Sequence, residues 1–144
     1  MICSTKYCKL AISKIPMDST LTFPQLFEQL KDLLVPYEQY LKVTKNSNKN
    51  YELIVDKPFT FNGKNHPSLY FSAVVIEKNY VTLHFFPIYT HPHLFNDLPT
   101  GLARQLKGKA CFNFKKADDE LLEQASDMIK KGFELYEKCV IPLG

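Results

Sequence analysis

The sequence predicts an α+β fold: a mostly antiparallel sheet of about five or six strands, an N-terminal helix, short inserted helices and a long C-terminal helix. Apolar residues recur at helical spacing near both ends of the chain. Short β-rich runs fill the region between residues 41 and 86, and no helical pattern separates them. Strands joined by such short connections pair antiparallel, so we expect the helices to pack on one face of the sheet.

The N-terminal helix is predicted over residues 22–35. Thr22 is followed three residues later by Gln25, which is a capping-box pattern, and Pro24 lies in the first turn. Pro36 ends the helix because the residue before a proline disfavours the α conformation. The apolar stripe consists of Leu26, Phe27, Leu30, Leu33 and Leu34.

Three β-rich runs follow this helix. The runs at 41–43 and 51–55 are separated by the polar cluster 46–50, so they predict a hairpin with a long solvated loop. The alternating run 59–61 leads into Asn62-Gly63, a dipeptide typical of tight turns. We expect a third strand there.

The clearest feature is a second hairpin, formed by residues 69–76 and 80–86 with a turn at Lys78-Asn79. Its register pairs Ile76 with Val81, Val74 with Leu83 and Ser72 with Phe85. Alternation then places Val74, Ile76, Val81, Leu83 and Phe85 on the core face. The second face carries Phe71, Val75, Tyr80, Thr82, His84 and Phe86. A sheet face with this many aromatic side chains is costly to leave exposed to water, so we expect it to be covered.

The rest of the chain predicts one or two short helices, a strand and a long helix. The short helices follow Pro87 and end at Gly108, a C-terminal cap. Residues 110–115 form the strand, with Phe112 in the core. The last helix runs from an N-cap at Asp118 to about residue 139. Its buried stripe contains Leu121, Leu122, Ala125, Met128, Ile129, Phe133 and Tyr136.

Length and composition bound the class of protein. The 144 residues fit one domain, which we expect over 17–144, with 1–16 as a dispensable segment. A net charge of +3, from lysines scattered among acids, does not favour nucleic-acid binding. No apolar run is long enough for a membrane span or a secretory signal. We expect a cytoplasmic protein.

The four cysteines show no spacing typical of a metal site or a redox motif. They are Cys3, Cys8, Cys111 and Cys139. We therefore expect free thiols in a reducing compartment and no cofactor.

Several segments together resemble the YdhG-like family of small bacterial domains, known as domain of unknown function 1801. They are Leu69–Ala73, Tyr80–Tyr89, Leu106–Lys115, Gly132-Phe133 and Leu135-Tyr136. The resemblance covers roughly residues 21–140, and the Gly-Lys-Ala-Cys-Phe stretch is its most specific part. It implies an α+β domain with no established enzymatic activity.

One branch of that family is described as a frataxin-like iron chaperone that binds iron weakly through surface acids. No acidic motif of this chain matches it residue by residue. The chain also departs from the family in its first sixteen residues and in the histidine-rich turn after Pro87.

The aromatic second face is the candidate binding site, together with a cleft that we expect it to form with the short helices at 92–106. The residues expected to line it are Tyr70, Phe71, Tyr80, His84, Phe86, Tyr89 and His91. The face can be covered by the protein's own helices, by a second copy in a homodimer, or by a ligand. We expect a non-catalytic domain that binds a small ligand or a protein partner.

Metal binding is the alternative function. Asp119, Glu123 and Asp127 recur every four residues on the last helix, which lines up three carboxylates. A solvated helix face explains the same pattern. His84, His91 and His93 are a second possible ligand set, although two-residue spacing around Pro92 is also typical of an ordinary loop.

Two further functions have little support. Lysines bracket Phe112 and Phe114, which resembles a stacking platform for single-stranded nucleic acid, but both phenylalanines are expected in the core. Cys111 and Ser72 are possible nucleophiles, but the sequence contains no GxSxG, HExxH or phosphate-binding glycine loop. We expect no enzymatic activity.

Removing residues 1–16 should leave stability nearly unchanged, because this segment adds no periodic apolar stripe. A chain that starts at Met17 should melt within a few degrees of the full chain. Thermal denaturation followed by circular dichroism checks this, and loss of cooperative unfolding on truncation would contradict it.

Overall fold

The computed structural model describes residues 22–61 and 63–139, and the segment 1–16 lies outside them. Helix α1 spans Phe23–Leu34 and continues into a 3₁₀ turn at Val35–Tyr37. The predicted capping box is present: the Gln25 amide donates to Thr22 Oγ1, and the Thr22 amide donates to Gln25 Oε1 at 2.9 Å. These bonds satisfy amide groups that the first helical turn leaves free.

The α+β fold with a mostly antiparallel sheet is confirmed. The strands are β1 (Lys42–Asn46), β2 (Asn50–Val55), β3 (Phe59–Phe61), β4 (Lys64–His66), β5 (Leu69–Ile76), β6 (Val81–Phe85), β7 (Leu106–Lys107) and β8 (Cys111–Phe114). Six of them form one sheet in the order β1-β2-β5-β6-β8-β7, in which all neighbours are antiparallel. The β3 and β4 strands form a separate two-stranded hairpin.

The helices after β6 are α2 (Pro87–Thr90), α3 (Thr100–Ala103) and α4 (Asp119–Cys139), with a 3₁₀ turn at Pro92–Phe95. The Leu121 amide donates to Asp118 Oδ1 at 2.9 Å, as expected of an N-cap. On one face of the sheet, α1 contacts β5 and β6, and α4 contacts α1. The main hydrophobic core lies between these two helices and the sheet.

The β5–β6 register is as predicted, with Ile76 opposite Val81 and Ser72 opposite Phe85. The prediction for Phe71 is wrong. Between β2 and β5 the register shifts, since Leu53 pairs with Ser72 but Ile54 pairs with Tyr70. This irregularity leaves Phe71 without a partner in β2 and turns it toward the helices, where its ring is fully buried.

Phe71 contacts aromatic rings of α4. The ring centroids of Phe71 and Tyr136 lie 5.9 Å apart, and those of Phe71 and Phe133 lie 6.2 Å apart. Phe71 is therefore a core residue that joins the sheet to α4.

Three details of the chain differ from the prediction. The β1–β2 strands extend into the polar cluster, so only residues 47–49 form the loop. Residues 106–107 form a strand rather than the end of a helix, and Gly108, at φ 76°, lies in the turn to β8. The short helices α2 and α3 contact α4, and α2 reaches one end of the second sheet face through Tyr89.

Candidate functional site

The sheet face opposite α1 and α4 is the one that the sequence analysis calls the second face, and it is called the open face below. It carries a row of side chains whose positions are determined by the strand register. Glu52 pairs with Ala73, Ala73 with His84, and His84 with Cys111. Directly opposed residues of neighbouring antiparallel strands point to the same face. His84, Glu52 and Cys111 are only partly buried, whereas Ala73 between them is buried, so the row is partly accessible.

A cleft of about 510 Å³ lies at one end of this face, and we call it the hairpin cleft. Its lining residues come from β2, from the β3–β4 hairpin, from β5 and from the start of α2. They are Glu52, Ile54, Phe59, Lys64, His66, Ser68, Leu69, Tyr70, Phe86 and Tyr89. The cleft thus forms where a short hairpin stands beside the main sheet.

Aromatic rings form one wall of the hairpin cleft. The Tyr70 and Phe86 centroids lie 5.7 Å apart, and those of Phe86 and Tyr89 lie 5.1 Å apart. Pro87 begins α2 directly after Phe86, so the chain turns there and brings Tyr89 beside the sheet residues. The Tyr89 side chain is 38% exposed, which leaves much of it open to a ligand.

A few polar groups are placed among these rings. Glu52 Oε2 accepts a hydrogen bond of 2.7 Å from Thr44 Oγ1, and Lys45 Nζ lies 3.7 Å from Glu52 Oε1. Burial raises the pKa of Tyr70, and the Glu52 carboxylate and Cys111 add to this effect. The Tyr70 hydroxyl is therefore protonated at neutral pH and can donate a hydrogen bond.

Cys111 and His84 form a close pair on the open face. Cys111 Sγ lies 3.3 Å from His84 Nδ1, within hydrogen-bonding distance for sulfur. Burial raises the pKa of the Cys111 thiol and lowers the pKa of His84, although Glu77 and Glu52 partly oppose the latter effect. Near neutral pH the pair is therefore a thiol beside a neutral imidazole.

The structure brings together only part of the predicted site. Tyr70, Phe86 and Tyr89 line the cleft, and the His84 ring lies 6.3 Å from that of Tyr70. Phe71 is buried on the opposite face.

The remaining two predicted residues lie elsewhere. Tyr80 precedes β6 and is not part of the lining. His91 lies toward the helices, with its ring 6.3 Å from that of Tyr136. The predicted cleft with the short helices at 92–106 is therefore replaced by a cleft with the β3–β4 hairpin.

Sequence reasoning missed the hairpin half of the cleft. Its contribution includes Phe59, Lys64 and His66. The Asn62-Gly63 pair marked a turn, and the three residues on each side of it form the hairpin strands. The strand after the turn is wholly polar and exposed, so it shows no hydrophobic alternation.

The residues of the metal alternative do not form a coordination site. Asp119, Glu123 and Asp127 are exposed along α4. Within the described ranges, no three His, Cys, Asp or Glu side chains are close enough to hold a metal ion. The His91 and His93 ring centroids lie 6.3 Å apart, without a third ligand there.

Other functional classes gain no support from the geometry. Phe112 and Phe114 are fully buried, so their rings offer no stacking surface to a nucleic acid. Among residues 22–61 and 63–139, no helix combines the length and apolarity needed to cross a bilayer.

Comparisons with known proteins give no relative from which a function can be carried over. No family model, no curated protein and no solved structure matches this chain.

Proposed function

We propose that this chain is a non-catalytic binding protein that holds a small ligand in the hairpin cleft. The observation that carries the proposal is the cleft itself, about 510 Å³ in volume and walled by Tyr70, Phe86 and Tyr89. Small-molecule sites typically measure roughly 300 to 1,000 Å³ and combine apolar walls with few polar groups. The hairpin cleft has this size and this composition.

The lining indicates the kind of ligand. The rings of Tyr70, Phe86 and Tyr89, with Ile54 and Leu69, suit a flat apolar or aromatic body. The Tyr70 hydroxyl can donate a hydrogen bond to an acceptor on that body. Lys64 on the hairpin offers a positive charge for an anionic substituent, so a planar ligand with one acceptor or anionic group suits this lining best.

Replacing Tyr89 with alanine should weaken binding of 1-anilinonaphthalene-8-sulfonate, a planar aromatic anion. Loss of one aromatic contact should raise the Kd roughly three- to tenfold. Titration followed by dye fluorescence measures the change. Because Tyr89 is 38% exposed, the variant should keep its melting temperature within a few degrees.

Tyr40→Ala is the matched control. Tyr40 is also an exposed tyrosine, at 47%, and its ring contacts Phe133 on the helix side, with centroids 5.4 Å apart. This variant should bind the dye like the parent protein. Equal loss of binding in both variants, or in neither, would contradict a site in the hairpin cleft.

A second copy of the chain is the other occupant to test for the open face. Sedimentation velocity at several concentrations distinguishes the two cases. A monomer that binds the dye agrees with the proposal, whereas a dimer that dissociates on dye binding would assign the face to self-association.

A further inference from the structure

We propose that Cys111 and His84 act as a nucleophile and its base, and that they capture an electrophilic ligand of the hairpin cleft as a covalent adduct. The proposal rests on the proposed ligand-binding function, because the cleft delivers the ligand. The observation that carries the proposal is the 3.3 Å separation of Cys111 Sγ and His84 Nδ1, two side chains that are only partly buried.

Strand register explains why these two side chains meet. His84 in β6 pairs directly with Cys111 in β8, so both point to the open face. On the same strand, Phe112 points to the core and is fully buried. The sheet thus fixes the thiol and the imidazole side by side on two internal strands, which limits their movement.

Tyr70 connects the pair to the cleft. Its ring lines the cleft, its centroid lies 6.3 Å from that of His84, and Cys111 is near enough to affect its pKa. Neighbouring strands lie about 4.8 Å apart, so Cys111 is two strand spacings, about 10 Å, from the strand of Tyr70. A ligand with a phenyl ring in the cleft can reach Sγ with a short unsaturated chain.

The protonation states suit general-base activation. The Cys111 thiol is protonated and the His84 imidazole is neutral near pH 7, for the reasons given above. With its proton on Nε2, His84 accepts the thiol proton at Nδ1. The thiolate then forms only when an electrophile lies beside the sulfur. The reaction of a thiol-reactive compound that is free in solution is therefore accelerated less than that of a ligand held in the cleft.

The site favours an α,β-unsaturated carbonyl over an acyl donor. Acyl transfer requires donors aimed at a tetrahedral oxyanion. The strands that carry Tyr70, His84 and Cys111 each have a paired strand on both sides, so backbone amides around the pair are used in the sheet. Conjugate addition needs one donor to the carbonyl oxygen, and the Tyr70 hydroxyl supplies it.

The step balances without an oxidant or reductant. Cys111 Sγ attacks the β-carbon of the ligand, a carbon–sulfur bond forms, and the π bond of the alkene breaks. The electron pair moves to an enolate whose oxygen accepts a hydrogen bond from Tyr70. The thiol proton passes to His84 Nδ1 and then to the α-carbon, which leaves a neutral thioether adduct.

The experiment treats the full chain with 5-phenylpent-1-en-3-one, whose ring, carbonyl and terminal β-carbon follow one another along the molecule, and follows adducts by peptide mapping with mass spectrometry. At pH 7 the Cys111 peptide should be labelled about tenfold or more faster in the parent than in His84→Asn. His93→Asn removes an exposed imidazole elsewhere and should change nothing. Cys111→Ser should lose this adduct. Thermal melting of each variant verifies folding, and His84→Gln repeats the test with a longer amide.

The pH dependence of the labelling rate distinguishes a His84 that acts as a base from a His84 that is only structural. The charged or titratable groups near the pair are Glu52, Glu77, Tyr70 and Lys107. In the parent protein, labelling should rise as His84 loses its proton, below the ordinary imidazole pKa of about 6.5, and then change little. In His84→Asn the rate should increase about tenfold per pH unit toward the raised thiol pKa, and reach that of the parent only once the thiol itself ionises.

The saturated analogue 1-phenylpentan-3-one distinguishes the covalent proposal from the binding proposal on which it rests. If it binds and Tyr89→Ala weakens it, while Cys111 reacts no faster in the parent than in His84→Asn, the covalent proposal is overturned and the binding function stands. If neither ketone binds, both are overturned. Selective, His84-dependent labelling that the saturated analogue inhibits supports both.

Discussion

Replacing Phe112 with alanine is expected to lower the free energy of unfolding by about 3 to 5 kcal/mol. Phe112 lies in β8 between Leu83 and Leu106, its partners on the two sides, and its side chain is fully buried. Truncation removes apolar area and leaves a cavity that the surrounding sheet cannot close. Chemical denaturation followed by circular dichroism measures the change.

Lys115→Ala is the control for Phe112→Ala. Lys115 follows the same strand and is exposed, so its substitution should change the free energy of unfolding by less than about 0.5 kcal/mol. An unchanged denaturation midpoint in Phe112→Ala would place the side chain outside the core and contradict the sheet register.

Gly132→Ala is expected to destabilise the protein, although alanine is the better helix former. In an open helix this change stabilises by about 1 kcal/mol. Here a Cβ at position 132 would lie 2.4 Å from Phe85 Cζ and 2.9 Å from Pro87 Cγ. Because Phe85 is fully buried, the helix or the ring must shift, at a cost of about 1 to 3 kcal/mol or more.

Gly101→Ala tests whether the destabilisation expected for Gly132→Ala depends on the close contact of the new Cβ. A Cβ there would lie 3.3 Å from Gln124 Oε1, the end of a flexible side chain. Gly101→Ala should leave the melting temperature unchanged or raise it, as measured by thermal denaturation.

Gly132→Ala should also weaken dye binding, because the displaced Pro87 precedes Tyr89 of the cleft wall. A Gly132→Ala protein as stable as the parent would contradict the helix-on-sheet packing.

Local signals in the sequence were sufficient for much of the fold. The capping box at Thr22 and Gln25, the N-cap at Asp118 and the β5–β6 register all depend on residues a few positions apart, so propensity and alternation identify them. The irregularity at Phe71 was not predictable in this way. Alternation assumes a constant two-residue period, and nothing in the run 69–76 marks where pairing with β2 changes it.

Only the part of the site that is close in sequence to the β5–β6 hairpin was predictable. Phe86 and Tyr89 directly follow β6, so their part of the aromatic wall followed from the predicted hairpin. Tyr70 alternates with Val74 and Ile76 of the predicted core face, and the same irregularity that turns Phe71 to the helices brings Tyr70 to the open face. Glu52 and Lys64 come from other strands whose placement depends on tertiary packing. The Cys111–His84 contact joins residues 27 positions apart, and it became visible only once β8 was known to pair with β6.

The measurement that tests the ligand site most directly is an NMR titration of the ¹⁵N-labelled chain with 1-anilinonaphthalene-8-sulfonate. Saturable amide shifts are expected to cluster on residues 52–54, the β3–β4 hairpin, Tyr70 and residues 86–89. In Tyr89→Ala, all of these shifts should require a higher dye concentration. Shifts centred on α1 and α4, or scattered without saturation, would contradict a binding site in the hairpin cleft.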